Sequence, residues 1–264
     1  MSAADLERRV EALTAVGLAD VQEAGAALLT RVDRKYVLPA AALATIPLTE
    51  GARVLQVDGR RTSQYRSVYF DTPGLASYLG AAHRRRGRYK VRTRTYADRG
   101  DCFVEVKTRG ARGATVKHRQ VHDGAEHELT DAAWTFATGA LGPSRPIDGP
   151  LRPTLATRYR RTTLLVDGGR PGAVARTTID TDLVWVDAET GDARPLGPLV
   201  VIETKTGASP SLTDRLLWRH GHRPVRISKY GTGMAVLHPD LPMTPWRRVL
   251  DRHVQPRAAL TACV

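Results

Sequence analysis

The chain has 264 residues, 42% of them hydrophobic, enough for a real core in one large domain or two small ones. Forty Lys and Arg against 27 Asp and Glu leave a net charge of +13, which implies an anionic partner: nucleic acid, a phosphate compound or a membrane surface. Two cysteines in dissimilar contexts, Cys102 and Cys263, exclude a disulfide framework and a Cys-based zinc site. No stretch approaches 18 apolar residues and the N-terminus carries no signal-peptide pattern, so the expectation is a soluble cytoplasmic protein without a transmembrane segment.

In chain order, residues 3–19 have helical spacing, with Leu6, Val10, Leu13 and Val16 on one side and Gly17 as a stop. Arg31 to Leu38 reads as a strand ended by Pro39. Arg31, Asp33 and Lys35 share one face; Val32, Tyr36 and Leu38 share the other, with Arg34 among them. Residues 40–46 suggest a short helix, and Gln64 to Phe70 a strand. The turn Asp71-Thr72-Pro73-Gly74 then leads into a helix over Leu75 to Leu79.

Arg86 to Tyr96 is the stretch around which the rest is organised. At period two it puts Arg86, Arg88, Lys90, Arg92 and Arg94 on one face of a strand. Such a row repels itself and is tolerable in water, as an edge that resists aggregation, or opposite a polyanion. A turn at Asp98 to Asp101 makes the next strand, Cys102 to Thr108, a hairpin partner with Phe103, Glu105 and Lys107 on one face. After a second turn, Arg109 to Gly113, Thr115, Lys117 and Arg119 share a strand face. Three consecutive strands thus each offer cations from one face.

Residues 129–141 look helical, and the Pro-rich stretch from Leu141 to Pro153 is a connector and the expected subdomain boundary. Strands are expected at Leu155 to Val166, Val174 to Thr181, Leu183 to Val186 and Leu199 to Thr206, where Val201, Glu203 and Lys205 share a face. A helix follows at Leu212 to His220, and Ile227-Ser228-Lys229-Tyr230 leads into a last turn or helix through Leu237. The tail from Pro239 is basic.

One-sided alternation fits an antiparallel sheet with a dry face and a wet face. Cations recurring on the wet face of strand after strand point to a closed barrel whose interior binds a narrow, highly charged anion. A phosphate chain fits, since Arg grips phosphate oxygens in bidentate fashion and Lys acts as a point charge. Nucleic acid fits less well, because the basic stretches lack interleaved aromatics and no helix-turn-helix, zinc-finger or RNP signature is present. Glu105 and Glu203 on such a wall either pair with neighbouring cations or hold a divalent metal. Eight His are scattered without metal-ligand spacing, and Gly231-Thr232-Gly233 is too short for a P-loop.

Eight pieces in order carry a resemblance: Asp33-Arg34-Lys35-Tyr36, Ser67 to Asp71, Tyr89 to Tyr96, Phe103 to Lys107, Arg158 to Arg161, Arg176 to Asp180, Val201 to Lys205 and Ser228-Lys229-Tyr230. Together they resemble the VTC domain, the polyphosphate polymerase domain of the vacuolar transporter chaperone complex, a relative of the triphosphate tunnel metalloenzymes. The match runs from about residue 28 to about residue 238 and partitions the chain into 1–27, an N-terminal helix, 28–238, the tunnel domain, and 239–264, a basic tail. The resemblance implies an α+β fold, an antiparallel eight-stranded β-barrel with flanking helices, that binds polyphosphate and, in eukaryotic members, makes it from ATP with a divalent metal.

By position, the resemblance implies that Lys35, Arg92, Arg94, Lys107, Lys117, Arg161, Arg176 and Lys229 bind phosphate and that Glu203 is a metal ligand. The patterning adds Arg88, Lys90, Arg119 and Lys205 to the phosphate set and Glu105 to the metal set, with Mn or Mg as the ion. Arg92, Arg94 and Lys107 are the expected catalytic cations. Ala81 stands where the eukaryotic pattern has a further basic residue, and Arg84, Arg86 or Arg88 is the candidate replacement. The paired glutamates of tunnel enzymes read Arg31-Val32-Asp33-Arg34-Lys35 here. The transmembrane and sensor modules of the eukaryotic complex are absent, which implies no coupled translocation. Three functions stay open: a metal-dependent polymerase using a nucleoside triphosphate, a non-catalytic polyphosphate-binding module, and a tunnel triphosphatase. No specific nucleic acid is expected as a partner.

Overall fold

The computed structural model describes residues 3–26, 32–46, 51–109, 115–143, 145 and 147–254. The expected strand residue Arg31, most of the turn after Arg109, and Cys263 with the last ten residues lie outside them. In chain order the elements are α1 (Ala3–Glu11), β1 (Thr14–Val16), α2 (Leu18–Ala26), β2 (Val32–Pro39), α3 (Ala40–Thr45), β3 (Arg53–Leu55) and β4 (Thr62–Asp71). There follow α4 (Ala76–Ala82), β5 (Tyr89–Tyr96), β6 (Asp101–Arg109), β7 (Thr115–Val121), α5 (Asp131–Leu141), β8 (Arg152–Asp167), β9 (Val174–Asp187), β10 (Ala193–Pro195) and β11 (Leu199–Thr206). Helices α6 (Leu212–Arg219), α7 (Lys229–Leu237) and α8 (Arg247–Val249) and a π-helical turn, Leu250–Val254, end the described chain.

The ladder order is β2-β11-β9-β8-β4-β5-β6-β7, with β1 on β3, β3 on β8 and β10 on β9. This is an antiparallel sheet with flanking helices, as expected, apart from the parallel β1–β3 pair. It has eleven strands rather than eight, and no ladder among the described residues joins β2 to β7, so the expected closed eight-stranded barrel reduces to the coarser α+β sheet. The additional strands, β1, β3 and β10, are three residues each, too short to show period two.

The chain divides into two compact units: Met1–Ser63 with Tyr159–Leu183 and Leu196–Ile227, and Gln64–Arg158 with Val184–Pro195 and Ser228–Val264. The Pro-rich connector after α5 lies within the second unit.

In the first unit β11 is central, antiparallel to β2 and β9. Its buried side is lined by Tyr36, Leu38, Val200, Ile202, Ala175 and Ile179, packed with Leu6 and Val10 of α1 and Leu217 of α6. Arg34 falls on this dry side, as its strand phase requires, and is met there by Thr206 Oγ1 at 3.0 Å and Asp214 at 3.5 Å. Asp214 is wholly buried and also accepts from Tyr36, Thr204 and Ser211, closing a capping box at the start of α6. The single helix expected over 3–19 is two helices separated by β1. Arg61 explains the break: its guanidinium donates to the carbonyls of Val10, Glu11 and Leu13 at 2.6, 2.6 and 3.0 Å, taking up the free acceptors that end α1.

In the second unit β4, β5, β6 and β7 form an antiparallel meander. Val68, Phe70, Tyr89, Val91, Val104 and Val106 line its dry side, covered by Ala133, Ala137 and Leu141 of α5. The Arg-rich strand starts at Tyr89, not Arg86. Arg88 folds its guanidinium back onto the carbonyls of Arg84 and Arg85, at 3.4 and 2.9 Å, and so closes the turn after α4 instead of extending the ladder. Asp71 organises the start of α4, accepting from the backbone of Thr72, Ser77 and Tyr78, all at 2.8 Å, and from the Tyr230 hydroxyl at 2.5 Å. The basic tail is in part core: Trp246, Val249 and Leu250 are buried. Gly231 and Gly233, too few for a P-loop, are glycines for packing. A Cβ on Gly231 would lie 2.0 Å from the Trp246 ring, and one on Gly233 2.3 Å from Trp185.

Candidate functional site

Strand phase decides which side chains share the wet side of the second unit. The register sets Lys90 opposite Lys107, and Lys107 opposite Lys117. One pleat along, Arg92 stands opposite Glu105, and Glu105 opposite Arg119; next, Arg94 stands opposite Phe103. Directly opposed residues have Cβ atoms about 5 Å apart, and like charges so placed destabilise a sheet. Six cations and one carboxylate therefore crowd one face of three strands.

Glu105 is the pivot of that face. It is wholly buried, and its Oε2 accepts from Arg92 Nε at 2.9 Å and Nη2 at 2.5 Å, while Lys117 Nζ lies 2.5 Å from Oε1. Arg94 Nη1 lies 4.0 Å away. Burial alone would raise the Glu105 carboxyl, but Arg92, Arg94 and Lys117 outweigh it and hold it far below the usual carboxylate range. The Lys117 ammonium is pushed down, first by desolvation and then by Arg92 and Arg94, against the pull of Glu105.

Neighbouring residues fix the cations in place. Tyr69 accepts from Arg92 Nη1 at 3.0 Å, with its ring 5.6 Å from that guanidinium. Tyr230 stacks on Tyr69 at 5.1 Å, and its hydroxyl is held by Asp71. Lys90 donates to Ser228 Oγ at 2.7 Å, and Ser228 caps α7. Lys229 stands beside it at the first position of that helix. The sequence assigned no role to Tyr65, Tyr69, Tyr96 or Ser228, although the last three fall in stretches that carry the family resemblance. For Tyr96 a signal was there: at period two it falls in phase with Arg92 and Arg94 on the same strand, whereas Tyr65 and Tyr69, on β4, join that face only through the register. Ser228 was not visible by pattern, because its role depends on a partner far away in the chain.

The first unit brings together Lys35, Glu203, Lys205, Arg176 and Arg161. Glu203 is opposite Lys35 on one side and Thr178 on the other; Lys205 is opposite Asp33 and Arg176. Lys35 Nζ lies 3.7 Å from Glu203, and Lys205 forms a close ion pair with it. Burial would raise the Glu203 carboxyl; Lys35, Lys205 and Arg161 hold it well below the ordinary value instead. Lys205 is lowered to about 8 by desolvation, opposed by Glu203 and Asp33. Arg161 is engaged in a fork with Asp180, Nε to Oδ1 at 2.6 Å and Nη2 to Oδ2 at 2.8 Å. Here three carboxylates balance four cations, so the large positive excess belongs to the second unit.

Among the described residues no group of three or more His, Cys, Asp or Glu could hold a metal ion by itself. Both Glu105 oxygens are occupied by cations, which is the ion-pair alternative of the sequence reading. Glu203 is one ionised, partly open carboxylate. Glu203 is likewise faced on both oxygens, by Lys205 at Oε1 and by Lys35 3.7 Å from Oε2, but its side chain is 16% exposed where that of Glu105 is 0%. Mg²⁺ commonly uses one or two carboxylates completed by substrate phosphate, and of the two only Glu203 is open to such a donor set. No helix among the described residues is long and apolar enough to cross a membrane.

No curated protein matches the chain. Among solved structures, a proposed adenylyl cyclase from Hippeastrum, HpAC1, described as having a dominant triphosphatase activity, aligns at 14% identity, over 78% of this chain and 96% of its own, with a TM-score of 0.42. A proposed adenylate cyclase from Bacillus halodurans aligns at 13% identity, over 75% and 93%, also with a TM-score of 0.42. A conserved hypothetical protein from Pyrococcus furiosus aligns at 12%, over 73% and 88%, with a TM-score of 0.35. The decisive match is by family: the VTC domain profile covers residues 30–238, from just before β2 to the end of α7 and so every residue of both charged clusters, and the chain belongs to the VTC domain family.

Proposed function

We propose that this chain is a polyphosphate polymerase-like phosphotransferase, which binds polyphosphate and a nucleoside triphosphate, with ATP as the first candidate, and extends the polyphosphate chain. The observation that carries the reading is the register of the second unit, which sets Lys90, Lys107 and Lys117 side by side next to Arg92 and Arg94. That many cations on one face favours a ligand with closely spaced negative charge over a single anion. Membership of the VTC domain family supports the same ligand class.

In the transfer, a terminal polyphosphate oxygen attacks the γ-phosphorus, the bond to the β,γ-bridging oxygen breaks, and nucleoside diphosphate leaves with that electron pair. The protein contributes position and charge neutralisation. Arg92 and Arg94, fixed by Glu105, Tyr69 and Ser67, stand ready to stabilise charge on the transferred group without reorganising, and Lys107 is in register beside them. In the second unit Lys90, Lys117 and Lys229 bind phosphate, and in the first unit Lys35, Arg161, Arg176 and Lys205 do so. Within the first unit a divalent ion, Mn²⁺ or Mg²⁺, would be held by Glu203 and completed by phosphate oxygens, and would supply charge neutralisation there.

Incubation with ATP, a polyphosphate primer and Mn²⁺ tests this. Chain growth with release of ADP is expected, and Glu203→Gln should abolish it; the ligand-free variant should also melt lower, because Lys35 and Lys205 lose their carboxylate partner, so the assay is run below its melting temperature. Release of inorganic phosphate without chain growth would make the chain a triphosphatase. Binding without turnover would make it a polyphosphate-binding module.

A further inference from the structure

Three aromatic rings from three strands meet on the cation-bearing face of the second unit. Tyr65 and Tyr96 oppose each other across β4 and β5, with centroids 5.0 Å apart. Tyr96 meets Phe103 edge to face at 5.9 Å. The Arg119 guanidinium lies 3.4 Å over the Phe103 ring and 5.5 Å from that of Tyr96, and Arg94 lies 5.5 Å from Tyr65. Tyr96 and Phe103 are only half-buried, Arg119 is exposed, and Val121, opposite Phe103 in the register, is 69% exposed. Tyr65 is buried, so the open part of the cluster, a platform and not core, is Tyr96, Phe103 and Arg119.

Binding phosphate does not require such a platform. Phosphate is held by charge and N–H donors, and exposed rings beside it only add apolar surface to water. The platform has a definite place relative to the cations. Arg94 is opposite Phe103, Arg92 is one pleat further along, and the lysine row is one pleat beyond that. At about 3.4 Å per residue, Phe103 and Lys107 stand about 14 Å apart along β6. A ligand with a flat π-system at one end and several phosphates at the other matches that sequence of groups.

We propose that the Tyr96–Phe103–Arg119 platform is the nucleobase subsite of the nucleoside triphosphate, an inference that rests on the phosphotransferase reading above. The base stacks on the Arg119 guanidinium and the edge of the Phe103–Tyr96 pair, and the phosphates run past Arg94 and Arg92 toward the lysine row. Stacking accepts any base because every base has a π-face, so the subsite separates nucleotides from inorganic phosphates but discriminates weakly among nucleotides.

The test is paired titration of the full chain with ATP and with inorganic tripolyphosphate, for the wild type, Phe103→Leu and Arg119→Lys, which keeps the positive charge and loses the planar guanidinium. Melting curves establish that each variant is folded, and Arg119→Lys, on the exposed side, serves if Phe103→Leu is not. ATP affinity should fall about tenfold, within the range for one stacked base, while tripolyphosphate changes no more than about twofold. Saturation-transfer NMR should show the adenine protons saturated in the wild type and released in Phe103→Leu. Equal losses for both ligands, or no loss for either, would overturn the subsite and leave the polyanion reading standing. Loss of oligo(dT) binding with ATP unaffected would also overturn it, by assigning the platform to single-stranded nucleic acid. A wild type that binds neither ATP nor tripolyphosphate would remove the phosphotransferase reading itself.

Discussion

Glu105 shows at the scale of one residue how a basic site can exist before its ligand arrives. Its carboxylate neutralises part of the Arg92, Arg94 and Lys117 charge, so Glu105→Gln should leave these cations to repel one another. Breaking a buried ion pair by removing one partner costs about 3–5 kcal/mol, so a clear drop in melting temperature is expected. Polyphosphate should restore more of that loss in the variant than it adds to the wild type, and thermal melts with and without the ligand measure both. The pH dependence has a definite sign. The folded Glu105 carboxyl is held below its unfolded value of about 4.3, so the folded state binds fewer protons, and its stabilisation is present above that value and lost as pH falls below it. Acid titration of unfolding should lose this component in Glu105→Gln. Chemistry is separated from binding by Arg92→Ala, which should lower turnover about a hundredfold, the scale of one well-placed transition-state contact, and affinity far less. Arg248→Ala, outside the family match, should change neither more than a few-fold. Equal small effects at both positions would point to diffuse electrostatics.

Arg61 shows at the scale of the element how a side chain distant in sequence ends a helix. Arg61→Ala removes three hydrogen bonds at and just beyond the end of α1, to the carbonyls of Val10, Glu11 and Leu13, of which Val10 keeps a bond from Leu13 N. With net contributions of about 1 kcal/mol per hydrogen bond, a loss of about 2–3 kcal/mol is expected, read by denaturant unfolding. An unchanged midpoint would show that water caps α1 equally well. The same logic explains what the sequence could and could not disclose. β2, β5, β6 and β11 were legible because apolar and charged residues alternate through each, and that alternation is the physics of a sheet wet on one side. The cations of Lys90 to Arg94, with Lys107 and Lys117, were legible as one face for the same reason. The break after Glu11 was not, because it is made by Arg61. Arg88 read as a strand residue because period two continues through it, while the backbone turns to satisfy its own carbonyls. The reading that aromatics are scarce near the cations was right along the sequence and wrong across it: Tyr65, Tyr96 and Phe103 lie on three strands and meet only through the register.

At the scale of the whole molecule, the charge excess should make ligand binding strongly dependent on salt. Five net positive charges on the second unit's face, at about −0.7 per phosphate contact, give a log–log slope of about −3 to −4 for polyphosphate against salt. Polyphosphate should outcompete single-stranded DNA of equal charge, because its phosphates are more closely spaced than a sugar backbone allows. Parity in a competition titration would identify a general basic surface. The β2–β11 pairing has a consequence of another kind, in time. Lys35 opposes Glu203, so β2 finds its partner only when nearly four-fifths of the chain has been made. At about 5–20 residues per second, the newly made β2, with Tyr36, Val37 and Leu38 bare, waits about 10 to 30 seconds for its neighbour. Synthesis itself thus opens an interval of aggregation hazard, in which the Asp33-Arg34-Lys35 charges act as guards. Ribosome-held chains halted before residue 199 should be cut by protease within β2, and chains halted well beyond residue 206 should be protected there. Protection in the shorter chains would mean that β2 finds a temporary partner first.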